Sequence, residues 1–272
     1  MLSHVRIWRF TLRTQGELSL PGFVGPMVRG VIGRAMFEQL GPEAATAIFE
    51  PHAGAPCFRV DTPLHPQRVL PRSKRWHLRL ITFNPDIEDA VLNAFAAACA
   101  TGFRDNRVPQ EISDVATLSH GGQWAPVIDA ALPPSIELRA DELFNAGAVT
   151  IRLASPARIK RGKELVRFPE LQDVLVATAH RVRELQLDAS GLGRFDDRSA
   201  ELPGTMTRWH HPRHSQAQDR DYSLDGVVGG FAAALNRQQA RWIALAEILG
   251  VGAKTAYGMG VIRAAPVGGF AG

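Results

Sequence analysis

The chain has 272 residues, 45% hydrophobic and 21% charged, enough for one large domain or two of roughly 100–150 residues and unlike a disordered polycation. Its 31 Lys+Arg and 27 Asp+Glu leave a formal charge of only +4, a total that excludes little by itself. Distribution says more: Arg68 to Arg79 and Arg158 to Arg167 hold ten cations against Glu164 alone, leaving 21 cations and 26 acids on the rest of the chain. A mildly acidic body with two concentrated basic stretches is the electrostatic footprint of a polyanion binder, two solvated loops being the alternative. Cys57 and Cys99 are too few and too far apart for a disulfide framework or a thiolate zinc site, which points to a reducing compartment. The first ten residues lack the apolar run of a signal peptide, and no uncharged segment reaches the ~18–20 residues that span a bilayer. The expectation is a cytoplasmic soluble protein with no membrane partner.

In chain order, Val5, Ile7, Trp8, Phe10 and Leu12 alternate with polar residues as in a half-buried strand. Phe23 to Leu40 places apolar residues at helical spacing, and Gly41-Pro42 is expected to stop that helix. A Pro/Gly-rich loop then leads through Cys57–Val60 and the first basic stretch to a strand at Trp76–Phe83. Asp86 to Thr101 reads as an Ala-rich helix with acids suited to the positive end of its dipole and Gly102 at its end. Glu111–Leu118 is a further strand.

The second half repeats this order. It has a strand at Ala148–Ala154, a helix at Pro169–Leu187, a mixed stretch at Arg208–Ser215, an apolar segment at Gly226–Leu235, a helix at Gln238–Leu249 and a strand at Met259–Ala264. Strand, helix, strand, strand, helix, strand, twice over, predicts an α+β chain of two tandem ferredoxin-like (RRM-like, split βαβ) domains, 1–140 and 141–272. The boundary falls in Gly121–Pro134 or near Asp141–Gly147. Residues 188–203 read as an inserted excursion that contacts RNA or a neighbouring subunit, or is a solvent loop.

The most informative string is Gly250-Val251-Gly252-Ala253-Lys254-Thr255-Ala256-Tyr257-Gly258-Met259-Gly260. Its glycines let the backbone approach a ligand, and Lys254 and Thr255 offer a charge and a hydroxyl to phosphate. A nucleotide-binding P-loop fails in detail, because Ala253 stands where glycine must precede Lys-Thr and no helix or parallel sheet can follow. A dinucleotide fingerprint fails too, since Thr255 occupies the third glycine position. A purely structural glycine turn stays open.

Placed at the end of a duplicated ferredoxin-like chain, this segment resembles the glycine-rich loop of the RAMP superfamily of CRISPR-associated proteins, and within it the pre-crRNA processing endoribonuclease. Val28-Arg29-Gly30-Val31-Ile32-Gly33, Ser155-Pro156-Ala157-Arg158-Ile159-Lys160 and Asp225-Gly226-Val227-Val228-Gly229-Gly230-Phe231 agree with it. The resemblance implies metal-independent cleavage of the precursor at the 3′ base of the CRISPR repeat stem-loop. The 2′-hydroxyl is the nucleophile, a 2′,3′-cyclic phosphate is left, and the mature crRNA is retained. It implies no metal and no cofactor, and partners that are RNA and other CRISPR effector subunits. A non-catalytic RAMP-type crRNA-binding subunit is the alternative, and the CRISPR type, including a minor variant such as type IV, stays open.

The chemistry needs a base for the 2′-hydroxyl, a cation for the phosphorane and an acid for the 5′-oxygen. The resemblance makes His52, just beyond the first helix, the candidate base, with an ordinary loop histidine as alternative. Arg29 and Arg34, five residues apart and hence about 140° apart round that helix, are candidate phosphate stabilisers. Arg34 is preferred because Gly33 leaves space beside it; Gly33 is also where some family members carry tyrosine. Gly252, Lys254, Thr255, Tyr257 and Gly258 are expected at the RNA. Arg158, Lys160, Arg161, Lys163 and Arg167 are expected to grip phosphates in the second domain, as Arg72, Lys74 and Arg75 do in the first. Arg208, His211 and Arg213 flank Trp209, which stacks on a base or packs inward, and His211 or His214 is a reserve acid–base residue. The adjacent histidines lack a supporting Cys or carboxylate cluster for metal.

Overall fold

A computed structural model gives the fold over residues 2, 4–49, 55–62, 64–104, 106–127, 135–195, 201–215 and 220–269, with backbone only at 203, 212–215 and 220–222. The chain forms two compact units. Unit 1 is Met1–Ser135 with Val182–Ala189 and Ala256–Gly258; unit 2 is Ile136–Arg181, Ser190–Thr255 and Met259–Gly272.

Unit 1 runs β1 (Arg6–Thr14), β2 (Leu18–Leu20), α1 (Gly25–Phe49), β3 (Phe58–Asp61), β4 (Arg68–Leu70), β5 (Arg75–Thr82), α2 (Pro85–Thr101), β6 (Gln110–Leu118) and β7 (Trp124–Pro126). Its main sheet has the order β3-β5-β1-β6-β7, all pairs antiparallel, and β2 pairs with β4 in a separate ladder. With β7 set aside this is the ferredoxin-like order. One sheet face is apolar because alternate residues point the same way. Trp8, Phe10 and Leu12 of β1 and Trp76, Leu78 and Leu80 of β5 pack with Val28, Ile32 and Met36 of α1 and Val91, Phe95 and Cys99 of α2. Each large side chain so buried contributes about 1.5–3 kcal/mol.

The helix ends follow from local chemistry. Asn84 Oδ1 accepts the Asp86 amide at 2.9 Å, Pro85 occupies the first turn, and Gly102 closes α2 at φ 105°. At Gly41 (φ 79°, ψ 169°) the first helical run of α1 stops, as expected, and a second run that the sequence did not signal, with Pro42 near its start, continues to Phe49. Proline fits there because a first-turn amide has no intrahelical acceptor to lose.

Unit 2 runs α3 (Ile136–Asn145), β8 (Ala148–Ala157), β9 (Lys160–Arg161), β10 (Glu164–Leu165), α4 (Leu171–Glu184, through Arg181 in this unit), β11 (Glu201–Trp209), β12 (Pro212–Ser215), β13 (Arg220–Ser223), β14 (Gly226–Ala234), α5 (Arg237–Leu249) and β15 (Ile262–Pro266). The four-stranded sheet has the order β11-β14-β8-β15, antiparallel throughout, the same ferredoxin-like pattern. The helix α3 is additional, and the expected division at residue 140 falls inside it. Arg139 of α3 donates to both Glu247 oxygens of α5 (2.7 and 3.2 Å) and to the Ala264 carbonyl of β15 (2.6 Å). A reciprocal capping box starts α5, with Asn236 Oδ1 accepting the Gln239 amide and Gln239 Oε1 accepting that of Asn236.

Of the excursion expected at 188–203, residues 190–195 lie against α5 and residues 196–200 lie outside the described residues. A 3-10 turn at Ser190–Leu192 buries Leu192, Trp242 Nε1 of α5 donates to the Gly193 carbonyl at 3.2 Å, and the Phe195 ring meets the Trp242 ring edge-on at 5.1 Å. Among the described residues no helix is long and apolar enough to cross a membrane.

Candidate nucleic-acid interface

In unit 1 the candidate residues meet at the start of α1. The Arg29 guanidinium lies 4.0 Å from the centre of the Tyr257 ring and 4.7 Å from that of Phe49, and its Nη2 donates to the Phe49 carbonyl at 3.4 Å. The kink at Gly41 makes this stack, because it carries the second helical run back until Phe49 reaches Arg29. Contact with two aromatic faces fixes a planar cation in place while leaving it half-exposed.

Gly258 (φ 80°) makes the close approach that seats Tyr257. A Cβ there would collide with Thr62 Oγ1 and press on the Gly25 Cα at 3.2 Å. The α1 start and the 257–258 backbone touch because both Gly25 and Gly258 lack a side chain.

The structure separates Arg34 from this group. Arg34 is exposed on another side of α1, beside a shallow depression formed with Glu38 and the last turn of α2 at Ala98, Thr101 and Gly102. There a cation complements the negative end of the α2 dipole. The space expected beside it at Gly33 is taken by the Phe49 ring, 3.0 Å from where a Cβ would stand. His52, the candidate base, lies outside the described residues. Arg72, Lys74 and Arg75 are exposed on and beside the β4–β5 turn, whose Ser73 adopts φ 65°.

In unit 2 the glycine-rich loop is held against the end of β8. The Val251 amide donates to the Gly260 carbonyl (2.9 Å), the Gly260 amide to the Pro156 carbonyl (2.8 Å) and the Ala253 amide to the Arg158 carbonyl (3.0 Å). Ser155 Oγ accepts the Val261 amide at 2.9 Å. Gly260 (φ 71°) is required, since a Cβ would collide with the Val251 carbonyl. Gly252 lies against the Arg158 backbone, and Lys254, exposed, takes a left-handed φ of 66° without being glycine. Thr255 is buried at 3% exposure, which removes its hydroxyl from the exposed surface where it was expected to serve.

Beside the loop, β9 and β10 form a two-stranded hairpin turning at Gly162 (φ 66°). It exposes Lys160, Arg161 and Lys163, with Arg167 exposed just after it. Arg161 forks onto Asp173 in the first turn of α4 (2.8 and 2.9 Å), and that hydrogen-bonded pair raises its already high pKa. Part of its charge is thereby spent within the protein.

A third group, at the β11–β12 turn, was only partly foreseen. Arg208 is exposed, and the Trp209 ring stacks on that of His211 at 5.2 Å and 15°. The side chains of Arg213 and His214 lie outside the described residues. His210 Nδ1 lies 2.5 Å from Asp225 Oδ1, and Ser223 Oγ donates to the same oxygen at 2.6 Å. The hydrogen bond from Ser223, the largest effect, holds the Asp225 carboxyl below the usual carboxylate range; burial opposes it, and His210 and Arg208 add smaller lowering effects. The Asp225 carbonyl accepts Arg158 Nη1 at 3.3 Å. The adjacent histidines were legible in the sequence, but their partners 13 and 15 residues on carried no signal. Among the described residues, no three His, Cys, Asp or Glu side chains gather to hold a metal ion.

Comparison with known proteins agrees with the fold. Residues 151–262 match the family model described as CRISPR-associated endoribonuclease Cas6. The fold is similar to that of Thermus thermophilus Cas6 (TTHB231), at 18% identity over 96% of this chain and 98% of that one, TM-score 0.57. It is also similar to a Cas6 (TTHA0078) product complex, at 19% over 96% and 99%, TM-score 0.56. A third similar structure, of a Cas6-related gene product from Pyrococcus furiosus, shares 13% over 96% and 98%, TM-score 0.54. No curated protein matches.

Proposed function

We propose that this chain, a member of the Cas6 family through residues 151–262 and a tandem ferredoxin-like protein along its length, is the endoribonuclease that cuts precursor CRISPR RNA. The observation that carries the proposal is the glycine-rich segment. It holds Lys254 exposed on a glycine-bounded turn and offers Tyr257 to Arg29. A fixed guanidinium and an exposed turn suit the charge that builds on a pentavalent phosphate.

The reading assigns roles as follows. His52 takes the proton of the 2′-hydroxyl, whose oxygen attacks the adjacent phosphorus; Arg29, in preference to Arg34, stabilises the phosphorane. The P–O5′ bond breaks, leaving a 2′,3′-cyclic phosphate on one fragment and a 5′-hydroxyl on the other. No metal is needed for these steps. Arg158, Lys160, Arg161, Lys163 and Arg167 hold phosphates of the repeat stem-loop, with Gly252 and Gly258 letting its backbone close in. Arg72, Lys74, Arg75, Arg208, His211 and Arg213 extend the contact. Cleavage falls at the 3′ base of the stem, and the protein stays on the mature crRNA. A solved complex that carries Cas6 together with Cas1 and Cas2 supports CRISPR proteins as further partners.

The test is incubation of labelled repeat RNA with the protein in excess EDTA, beside a hairpin of scrambled sequence. A shorter product from the repeat alone supports the proposal. Repeat RNA bound but left intact would instead make the chain a non-catalytic crRNA-binding subunit.

A further inference from the structure

RNA transesterification moves two protons, one off the 2′-hydroxyl and one onto the departing 5′-oxygen. The roles above supply a carrier for the first only. The turn that joins β11 to β12 holds a side chain built for the second. His210 is exposed over 59% of its side chain, while its Nδ1 is tied to Asp225 Oδ1 at 2.5 Å and lies 3.0 Å from Ser223 Oγ.

A carboxylate on Nδ1 fixes the ring orientation and leaves Nε2 as the atom that exchanges protons. Asp225 is itself oriented, because Ser223 Oγ donates to the same oxygen and its main-chain carbonyl is held by Arg158. The Arg158 carbonyl in turn accepts the Ala253 amide of the glycine-rich loop. The imidazole is thus linked through two residues to the loop, within unit 2. A solvated surface histidine needs none of these supports, whereas a positioned proton carrier needs all of them.

Resting on the proposed cleavage reaction, we infer that His210 is its general acid, with Asp225 as a positioning residue. His210 Nε2 gives its proton to the 5′-oxygen as the P–O5′ electron pair passes to that oxygen, and the neutral ring is reprotonated from water after product forms. Ser223 contributes by holding Asp225.

The experiment measures single-turnover cleavage of repeat RNA by the wild type and by His210→Ala, His210→Gln and Asp225→Asn, with RNA affinity recorded alongside. Expected are a loss of about 10²-fold or more in cleavage for His210→Ala with affinity nearly unchanged, a smaller loss for Asp225→Asn, and partial rescue of His210→Ala by added imidazole. A second substrate carries sulfur in place of the scissile 5′-oxygen, and sulfur departs without a proton. On it His210→Ala should cut within about threefold of the wild type. Wild-type rates for His210→Ala and His210→Gln on the oxygen substrate, or equal losses on both substrates, would overturn the assignment and leave the endoribonuclease reading standing. A wild-type protein that cuts neither substrate would overturn that reading as well.

Discussion

The Arg29 guanidinium lies 4.0 Å over the Tyr257 ring, a contact between residues 228 positions apart that joins the first helix to the glycine-rich segment. It predicts that both side chains serve one step. Arg29→Ala should slow repeat cleavage by about 10²- to 10³-fold, and Tyr257→Leu by less, because Phe49 still covers one face of the guanidinium. Arg34→Ala, beside the last turn of α2, should leave the rate within about threefold. Single-turnover kinetics on the three variants checks the order; a larger loss for Arg34→Ala would return the phosphate role to that residue.

The β9–β10 hairpin makes a prediction in salt. Lys160→Glu with Lys163→Glu should weaken RNA binding, and the slope of log affinity on log salt between about 50 and 200 mM should flatten by about one for each phosphate contact removed. Arg161→Ala should change the slope less, since Asp173 already holds that guanidinium. Filter binding across a salt series reads both effects.

Gly260 predicts a stability defect. Alanine there is both strained at φ 71° and driven into the Val251 carbonyl, so Gly260→Ala should cost about 2–4 kcal/mol. Gly162→Asn has open space around it and a residue that accepts left-handed backbone, so it should cost well under about 1 kcal/mol. Chemical denaturation of the two variants makes the comparison.

Glu201 gives a pH prediction. Burial first, then the neighbouring Glu170 and Asp173 charges, raise its carboxyl above the usual range, against the opposing hydrogen bond it accepts from the Leu171 amide. A raised folded-state pKa stabilises the fold below the unfolded value and loses that contribution as pH rises through the folded one. Glu201→Gln keeps an acceptor for Leu171 and removes the charge, so it should raise the melting temperature at about pH 8 and change it little at about pH 4. A lower melting temperature at the higher pH would contradict the account.

The two thiols should differ in reactivity. Cys99, buried on α2, has its thiol pushed up to about 12 by burial, whereas Cys57 is half-buried at the start of β3. A thiol reagent at about pH 8 should modify Cys57 first and reach Cys99 only after denaturation.

Much of the fold could be read from the chain because its signals are local. Alternation marks β1, and the acids of the first turn and Gly102 bracket α2. Helix α3 has Ile136, Ala140 and Leu143 on one buried face, a pattern too short to stand out beside a Pro-rich stretch. The run beyond Gly41 was hidden because Gly-Pro ends one helix in the same letters with which it begins another. Three-residue strands such as β2 and β4 carry too little periodicity to register.

The candidate site divides on the same ground. The glycine-rich loop and the hairpin cations are contiguous in sequence and were legible. The choice of Arg29 over Arg34 depends on Phe49 returning over the helix, and the burial of Thr255 depends on the packing of the loop; both are tertiary effects. His210 directly precedes His211, which the sequence had already singled out. What distinguishes it is Asp225, reached only when β13 and β14 bring that carboxylate back.

The most direct test of the account uses two repeat RNAs that differ at one atom, the second lacking the 2′-hydroxyl of the nucleotide 5′ to the scissile phosphate, each incubated with the protein in excess EDTA. The account predicts that both bind equally, that only the first is cut, and that its upstream fragment ends in a 2′,3′-cyclic phosphate. Cleavage of the deoxy-substituted RNA, or tight binding with both left intact, would contradict it.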